Sequence, residues 1–271
     1  MPTSSSDDRY VHGFHDSVLR SHRWRTADNS AAYLLPRLRP DAHVLDVGCG
    51  PGTITVTLAD RVPEGWVVGV DSSPGVLAEA QALAVSDGRR NVRFAVGDVL
   101  RLDFDEATFD VVHAHQVLQH LGDPIAALAE MRRVCRPGGV VAARDADYGG
   151  MFWYPESEEM SRWLSLYRSV ARGAGGNPDG GRRLSSWAQA AGFSQVDASA
   201  SAWCFATPDE RRWWGGLWAE RVTQSRFAEQ AVEQRLATAD DLRRLADGWW
   251  RWIEHDDAVF FLLHGEVLCT P

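Results

Sequence analysis

The sequence predicts a doubly wound α/β fold on a seven-stranded, mostly parallel sheet, and three observations predict it. From Val44 to about residue 145, short β-branched runs alternate with amphipathic helical stretches. A glycine-rich turn follows the first run directly. Aspartates stand at or near the ends of the first three runs: Asp46, Asp71 and Asp98. Strand and helix alternating in this way is the signature of parallel βαβ crossovers, whose ligands bind beyond the carboxyl ends of the strands.

Taken in chain order, residues 14–38 read as two helices broken near Arg25 and Thr26, with Thr26 as a cap and Ala31, Ala32, Leu34 and Leu35 as an apolar face. They make residues 1–40 a helical cap over the core. Strands follow at about 44–47, 66–70, 92–96, 109–114 and 139–144. Ser73-Pro74 opens a helix that Gly88 ends, and Asp123-Pro124 opens another that stops at Pro137-Gly138-Gly139. A side-chain cap followed by proline is a start signal, and glycine is a stop. Past Asp147 the pattern changes. Gly149-Gly150 and the Gly, Asn and Pro of 173–181 are loops around a helix at about 156–172, and another helix spans 182–191. Residues 194–206 and 257–269 supply the last two strands, with helical stretches at 208–234 and 239–254 between them. Seven of the twelve tryptophans fall between Trp203 and Trp252. The organisation is thus a core at 41–206, a Trp-rich helical insertion at 207–256 and a final core strand in 257–271.

Composition narrows the function. With 271 residues, 45% of them hydrophobic, the chain can bury one large core or a core with an attached layer. The net charge of −9 and the absence of a Lys/Arg run argue against nucleic acid as a partner. Residues 1–8 are polar and acidic, and no stretch approaches the roughly 18 apolar residues of a membrane span, so a cytoplasmic protein without membrane insertion is expected. Cys49, Cys135, Cys204 and Cys269 are far apart with no Cys-x-x-Cys pair, which predicts reduced, mostly buried thiols and no metal.

The richest segment runs from Val44 through Asp46, Val47, Gly48, Cys49 and Gly50 to Gly52, a strand entering a glycine-rich turn and then a helix from about Thr53. Glycines there permit positive φ and close approach of a ligand to the backbone. A dinucleotide fold asks for G-x-G-x-x-G, yet Thr53 stands where the third glycine belongs and the pattern is G-x-G-x-G. Asp46 points away from a pyrophosphate too, because a carboxylate repels phosphates but accepts hydrogen bonds from an ammonium group, directly or through water.

On these residues the chain resembles the class I S-adenosylmethionine-dependent methyltransferases, in particular a small-molecule branch similar to the ubiquinone/menaquinone-type enzymes, over roughly residues 40–145. The resemblance implies a Rossmann-like sheet with an antiparallel C-terminal strand. It implies S-adenosylmethionine as cofactor, spent as S-adenosylhomocysteine. Its methionine part would lie on Asp46, Gly48, Gly50 and Gly52. Its ribose would meet Asp71, 19 residues past Gly52, with Ser72 beside it, and its adenine would meet Asp98 and Val99. The strand ending Phe109-Asp110-Val111-Val112-His113-Ala114-His115, followed by Gln116, would face the sulfonium, and Tyr10 and Arg25 would fold over the cofactor. The implied activity is methyl transfer to a small, aromatic or lipophilic metabolite of the kind met in secondary metabolism.

In-line displacement from a sulfonium asks the protein to align the acceptor, exclude water and, where needed, remove a proton. Candidates for that last role are His113, His115, His120, Asp145, Asp147 and Tyr148, with His115, His113, Asp145 and Tyr148 foremost. A metal site at His113, His115 and His120 matches no ligand spacing. Trp203, Trp213, Trp214, Trp218, Trp249, Trp250 and Trp252 are candidates to wall an acceptor pocket. Trp214 with Trp218 and Trp249 with Trp252 share helical faces, which predicts that most are core; the same helices also suit a homodimer interface. Two other readings stay open. A protein of this fold can bind the cofactor without transferring methyl, as a scaffold, regulator or cyclisation catalyst. An NAD(P)-linked oxidoreductase is opposed by Thr53 and Asp46.

Overall fold

The computed structural model describes residues 15–271; Tyr10 and the segment around it lie outside them. In chain order the first half forms α1 (Asp16–Arg23), α2 (Ala27–Ser30), β1 (His43–Val47), α3 (Thr53–Ala59), β2 (Trp66–Asp71), α4 (Pro74–Ser86), β3 (Val92–Val96), β4 (Phe109–His115), α5 (Pro124–Val134) and β5 (Cys135–Ala146). The second half forms β6 (Phe152–Tyr154), α6 (Glu158–Gly173), α7 (Leu184–Ala190), β7 (Gln195–Phe205), α8 (Pro208–Gln224), α9 (Arg226–Glu233), α10 (Ala239–Glu254) and β8 (Val259–Thr270).

Contacts divide these residues into two units. A sheet unit holds His22–Asp145, Gly180–Ser201 and His264–Pro271, and a tryptophan-rich unit holds residues 15–21, Ala146–Asp179 and Ala202–Leu263. This grouping differs from the four segments read in the sequence, because 146–179 belongs with the Trp-rich helices.

In the sheet unit the strands run in the order β3-β2-β1-β4-β5-β8, with β7 against β8. The first five are parallel: Asp46 stands opposite Gly69 on one side and His113 on the other, and His115 stands opposite Arg144. The C-terminal strand is antiparallel. Apolar residues cover both faces, as a parallel sheet requires. Leu45, Val68, Val112 and Val141 join the α5 side chains Leu128 and Met131 in one core. Val44, Val67, Val111 and Val140 join Ala27, Ala31, Leu34 and Leu58 in another, so the residues before β1 do form a helical cover. Thr26 caps α2 with a reciprocal bond to Asn29, and Asp123 accepts from the Ala126 N–H at 2.9 Å to open α5.

Three local readings are corrected. The Pro137-Gly138-Gly139 turn lies inside β5, where the pairing jumps from Phe109↔Cys135 to Val111↔Val140. The stretch 208–234 is two helices, because extended Ser225 turns its hydroxyl back onto the Arg221 carbonyl at 2.8 Å. The described residues hold eight strands rather than seven. The extra one, β6, is three residues long, below the length at which alternation is legible, and pairs antiparallel with β8 through Phe152↔Phe261 and Tyr154↔Val259.

The tryptophan-rich unit is built on Trp163, Trp218 and Trp249, all buried. Trp163 meets the other two edge to face at 4.6 and 4.8 Å, the arrangement that ring quadrupoles favour. Trp203, Trp214 and Trp252 are buried as well, Trp213 is half-buried and Trp250 is exposed. No helix among the described residues is long and apolar enough to cross a membrane.

Candidate active site

The site lies in the sheet unit, where β1 delivers the chain into the glycine turn. Gly48, Gly50 and Gly52 sit at φ +66°, +53° and +81°, a region that β-carbons disfavour. Two of the three are also fixed by packing: a Cβ on Gly48 would come within 2.4 Å of the Val117 side chain, and one on Gly52 within 2.7 Å of Ala80. At Gly50 the same atom would meet nothing nearer than His22 Nδ1 at 3.9 Å. Among the described residues, therefore, nothing crowds Gly50, and a ligand could lie close to the turn there.

Asp71, at the end of β2, faces that turn. Its Oδ2 accepts from the Gly50 N–H and its Oδ1 from the Ser73 N–H, both at 3.0 Å. The group is half-buried, and a carboxylate oxygen, with two lone pairs, can accept more than one hydrogen bond. Ser72 beside it is exposed. Asp98 is exposed beyond β3, with Oδ1 accepting from the Leu100 N–H at 2.9 Å, and Val99 is 8% exposed.

Asp46, read in the sequence as a contact for the methionine part of the cofactor, is turned inward. It is 2% exposed, and both oxygens are engaged inward, Oδ2 by the Thr55 hydroxyl at 2.6 Å and Oδ1 by His113 Nδ1 at 2.8 Å. The strand register sets this up, since Asp46 and His113 are direct neighbours on β1 and β4. A carboxylate can only accept here, so the His113 proton sits on Nδ1. Nε2 is buried and without a protein partner among the described residues.

His115, on the same face of β4, is buried. Burial above all, with Arg25 and Arg144 nearby, pushes its pKa well below the usual histidine value. The ring is thus a neutral hydrogen-bonding group and a poor proton acceptor. His120 is pushed down to about 3 by burial and Arg25. Asp145, at the end of β5, goes the other way: burial raises it to about 7 against the lowering effect of the Gln119 and Val117 N–H groups and Arg144. Its Oδ2 accepts from the Gln119 N–H at 3.1 Å, and its Oδ1 has no protein partner among the described residues.

Gln116 sits just past β4 at φ +54°, receives Arg25 on its Oε1 at 3.0 Å, and reaches His264 Nε2 with its own Nε2 at 2.8 Å. His264 stacks on His115 with ring centroids 6.0 Å apart. Sequence reasoning missed His264, which comes from the strand after the insertion and carries no local signal. It missed as well a buried pair, Arg144 Nε to Glu266 Oε1 at 3.1 Å, with Ser199 donating to Glu266 at 2.8 Å.

Tyr148 and Asp147 belong to the tryptophan-rich unit. Tyr148 is 4% exposed and stacks on Tyr167 at 4.1 Å, and the Asp147 N–H bonds the Leu263 carbonyl. Among the described residues no cluster of three His, Cys, Asp or Glu is placed to hold a metal.

Comparison with known proteins yields a family model described as a methyltransferase domain, matching residues 44–139. The chain is 37% identical over 268 residues to an uncharacterized methyltransferase of Schizosaccharomyces pombe, covering 96% of this chain and 95% of the relative. It is 38% identical over 126 residues to trans-aconitate 2-methyltransferase of Deinococcus radiodurans, covering 45% of this chain and 46% of that one. Among solved structures, phosphoethanolamine N-methyltransferase 2 of Haemonchus contortus, in complex with phosphomonomethylethanolamine and S-adenosylhomocysteine, superposes with a TM-score of 0.63 at 20% identity, covering 100% of this chain and 62% of that one. That likeness concerns the fold.

Proposed function

Because the chain belongs to the class I S-adenosylmethionine-dependent methyltransferases and takes S-adenosylmethionine as its methyl donor, we propose that it methylates a small organic acceptor held beyond the carboxyl ends of β4 and β5. The uncrowded turn at Gly50 among the described residues, with the Asp71 carboxylate bonded to its N–H, is the observation that carries the cofactor half of this reading. Asp71 and Ser72 would meet the ribose, Asp98 and Val99 the adenine, and Gly50, Gln116, Arg25, His115 and Tyr10 the methionine end. Gly48 and Gly52 shape the turn by packing, and Asp46 supports it from beneath through Thr55 and His113.

The bound sulfonium supplies a methyl group already activated for in-line displacement. The chain's own contribution is alignment, exclusion of water and removal of the acceptor's proton. Asp145 suits the proton: a carboxyl poised near neutrality matches general-base work at pH 7, and its Oδ1 has no protein partner among the described residues. His115, uncharged, suits orienting the acceptor by a hydrogen bond, and His113 Nε2 offers one more polar atom for it. We favour an acceptor with a flat or apolar body, since the half-buried side chains of Val117 and Leu121 follow β4.

The test is incubation with methyl-labelled S-adenosylmethionine and a panel of small acceptors, with trans-aconitate and quinol analogues included. Label moving to a product in step with S-adenosylhomocysteine supports the reading. Tight cofactor binding with no label transferred across the panel would leave a protein that holds the cofactor for another purpose.

A further inference from the structure

The Arg25–Gln116–His264 bridge has a direction fixed by its chemistry. A guanidinium has only donors, so the Gln116 oxygen must face Arg25, as it does at 3.0 Å. The Gln116 NH₂ is then left for His264, and that amide nitrogen can only donate, so His264 Nε2 must accept at 2.8 Å and the ring's proton must sit on Nδ1. Gln116 holds a left-handed backbone, φ +54°, which a residue with a Cβ adopts only when its surroundings impose it. Its N–H is anchored on the Arg144 carbonyl at 2.7 Å, and its side chain is gripped at both ends. Among the described residues, His115 on β4 stacks on His264, and Gln116, just after β4, reaches its Nε2.

We propose that His264 is a positioning residue for the cofactor site, acting as a hydrogen-bond acceptor that orients Gln116 and, through it, Arg25. The proposal rests on the reading of Gln116 and Arg25 as cofactor contacts. Its logic is preorganisation: a ligand that finds both side chains already aimed loses less freedom on binding. His264 is 148 residues from Gln116, so the last strand reaches into a site otherwise built from the first half of the chain.

Two measurements test it on the full chain. In ¹⁵N-histidine NMR of the S-adenosylhomocysteine complex, His264 is expected to show an unprotonated Nε2 and a protonated Nδ1. Gln116→Glu, which is isosteric but can only accept, should place a proton on Nε2. A protonated Nε2 in the parent protein, or no change on Gln116→Glu, overturns the proposal. In calorimetric titration with S-adenosylhomocysteine, His264→Phe keeps a ring but no acceptor and should weaken binding about tenfold, whereas His264→Gln keeps an acceptor and should stay within about threefold. His264→Phe binding like the parent while Arg25→Ala weakens binding overturns it. If Arg25→Ala and Gln116→Ala both leave binding unchanged, the assignment of those two residues is what fails, and the proposal falls for that separate reason. Should His264→Phe not fold, the NMR comparison decides alone.

Discussion

Two aspartates in similar backbone positions serve opposite ends. Asp71 ties the turn to β2 through two N–H bonds, so Asp71→Asn sets an NH₂ against one of those donors and removes the charge. Cofactor affinity should fall by about 2–4 kcal/mol, measured by titration with S-adenosylhomocysteine; unchanged affinity would refute the ribose assignment. Asp145 is raised to about 7 by burial. As the base it must be ionised, so kcat should rise with pH through about 7 and level off above, and Asp145→Asn should abolish that limb. Stability runs the other way. A carboxyl titrating near 4 in the unfolded chain and about 7 in the folded one loses its proton first on unfolding, so stability declines as pH climbs between those values. Asp145→Asn should therefore be more stable than the parent at pH 8, on the order of a few kcal/mol in denaturant melts, while slower in turnover. At this scale the positions of Asp71 at the end of β2 and Asp98 just past β3 were legible, because strand ends announce themselves in the local pattern. The burial of Asp46 was not, since Thr55 and His113 close over it from other elements, and His264 has no neighbour in sequence that marks it.

At the scale of elements, the glycine turn separates packing from ligand approach. Gly48→Ala drives a Cβ into Val117 at 2.4 Å in a left-handed backbone, and should cost about 2–4 kcal/mol of folding stability, part of it returned by adding Val117→Ala. Gly50→Ala has room, so it should cost only about 1–2 kcal/mol in thermal melts while cofactor binding falls disproportionately. Equal behaviour of the two variants would remove that distinction. The helix starts at Thr26 and Asp123 were readable because caps are local chemistry. The interruption at Ser225 and the strand at Phe152–Tyr154 were not, because a single hydroxyl decides the one and pairing with β8 decides the other.

Over the whole molecule, the parallel sheet was legible from five strands and their intervening helices, whereas the membership of 146–179 was hidden. Its loops and single helix carry no sign of their partners until Trp163 is seen against Trp218 and Trp249. The Arg144–Glu266 pair belongs to this scale too, both partners at most 6% exposed. Glu266→Gln strips the guanidinium of its counter-charge in the interior and should cost about 3–5 kcal/mol in chemical denaturation, against under 1 for an exposed pair such as Arg212–Asp209. The two residues lie 122 positions apart. A ribosome releasing this chain must deliver the segment around 266 before the Arg144 charge on β5 can be neutralised, so a nascent chain stalled ahead of that point carries the guanidinium without its partner carboxylate.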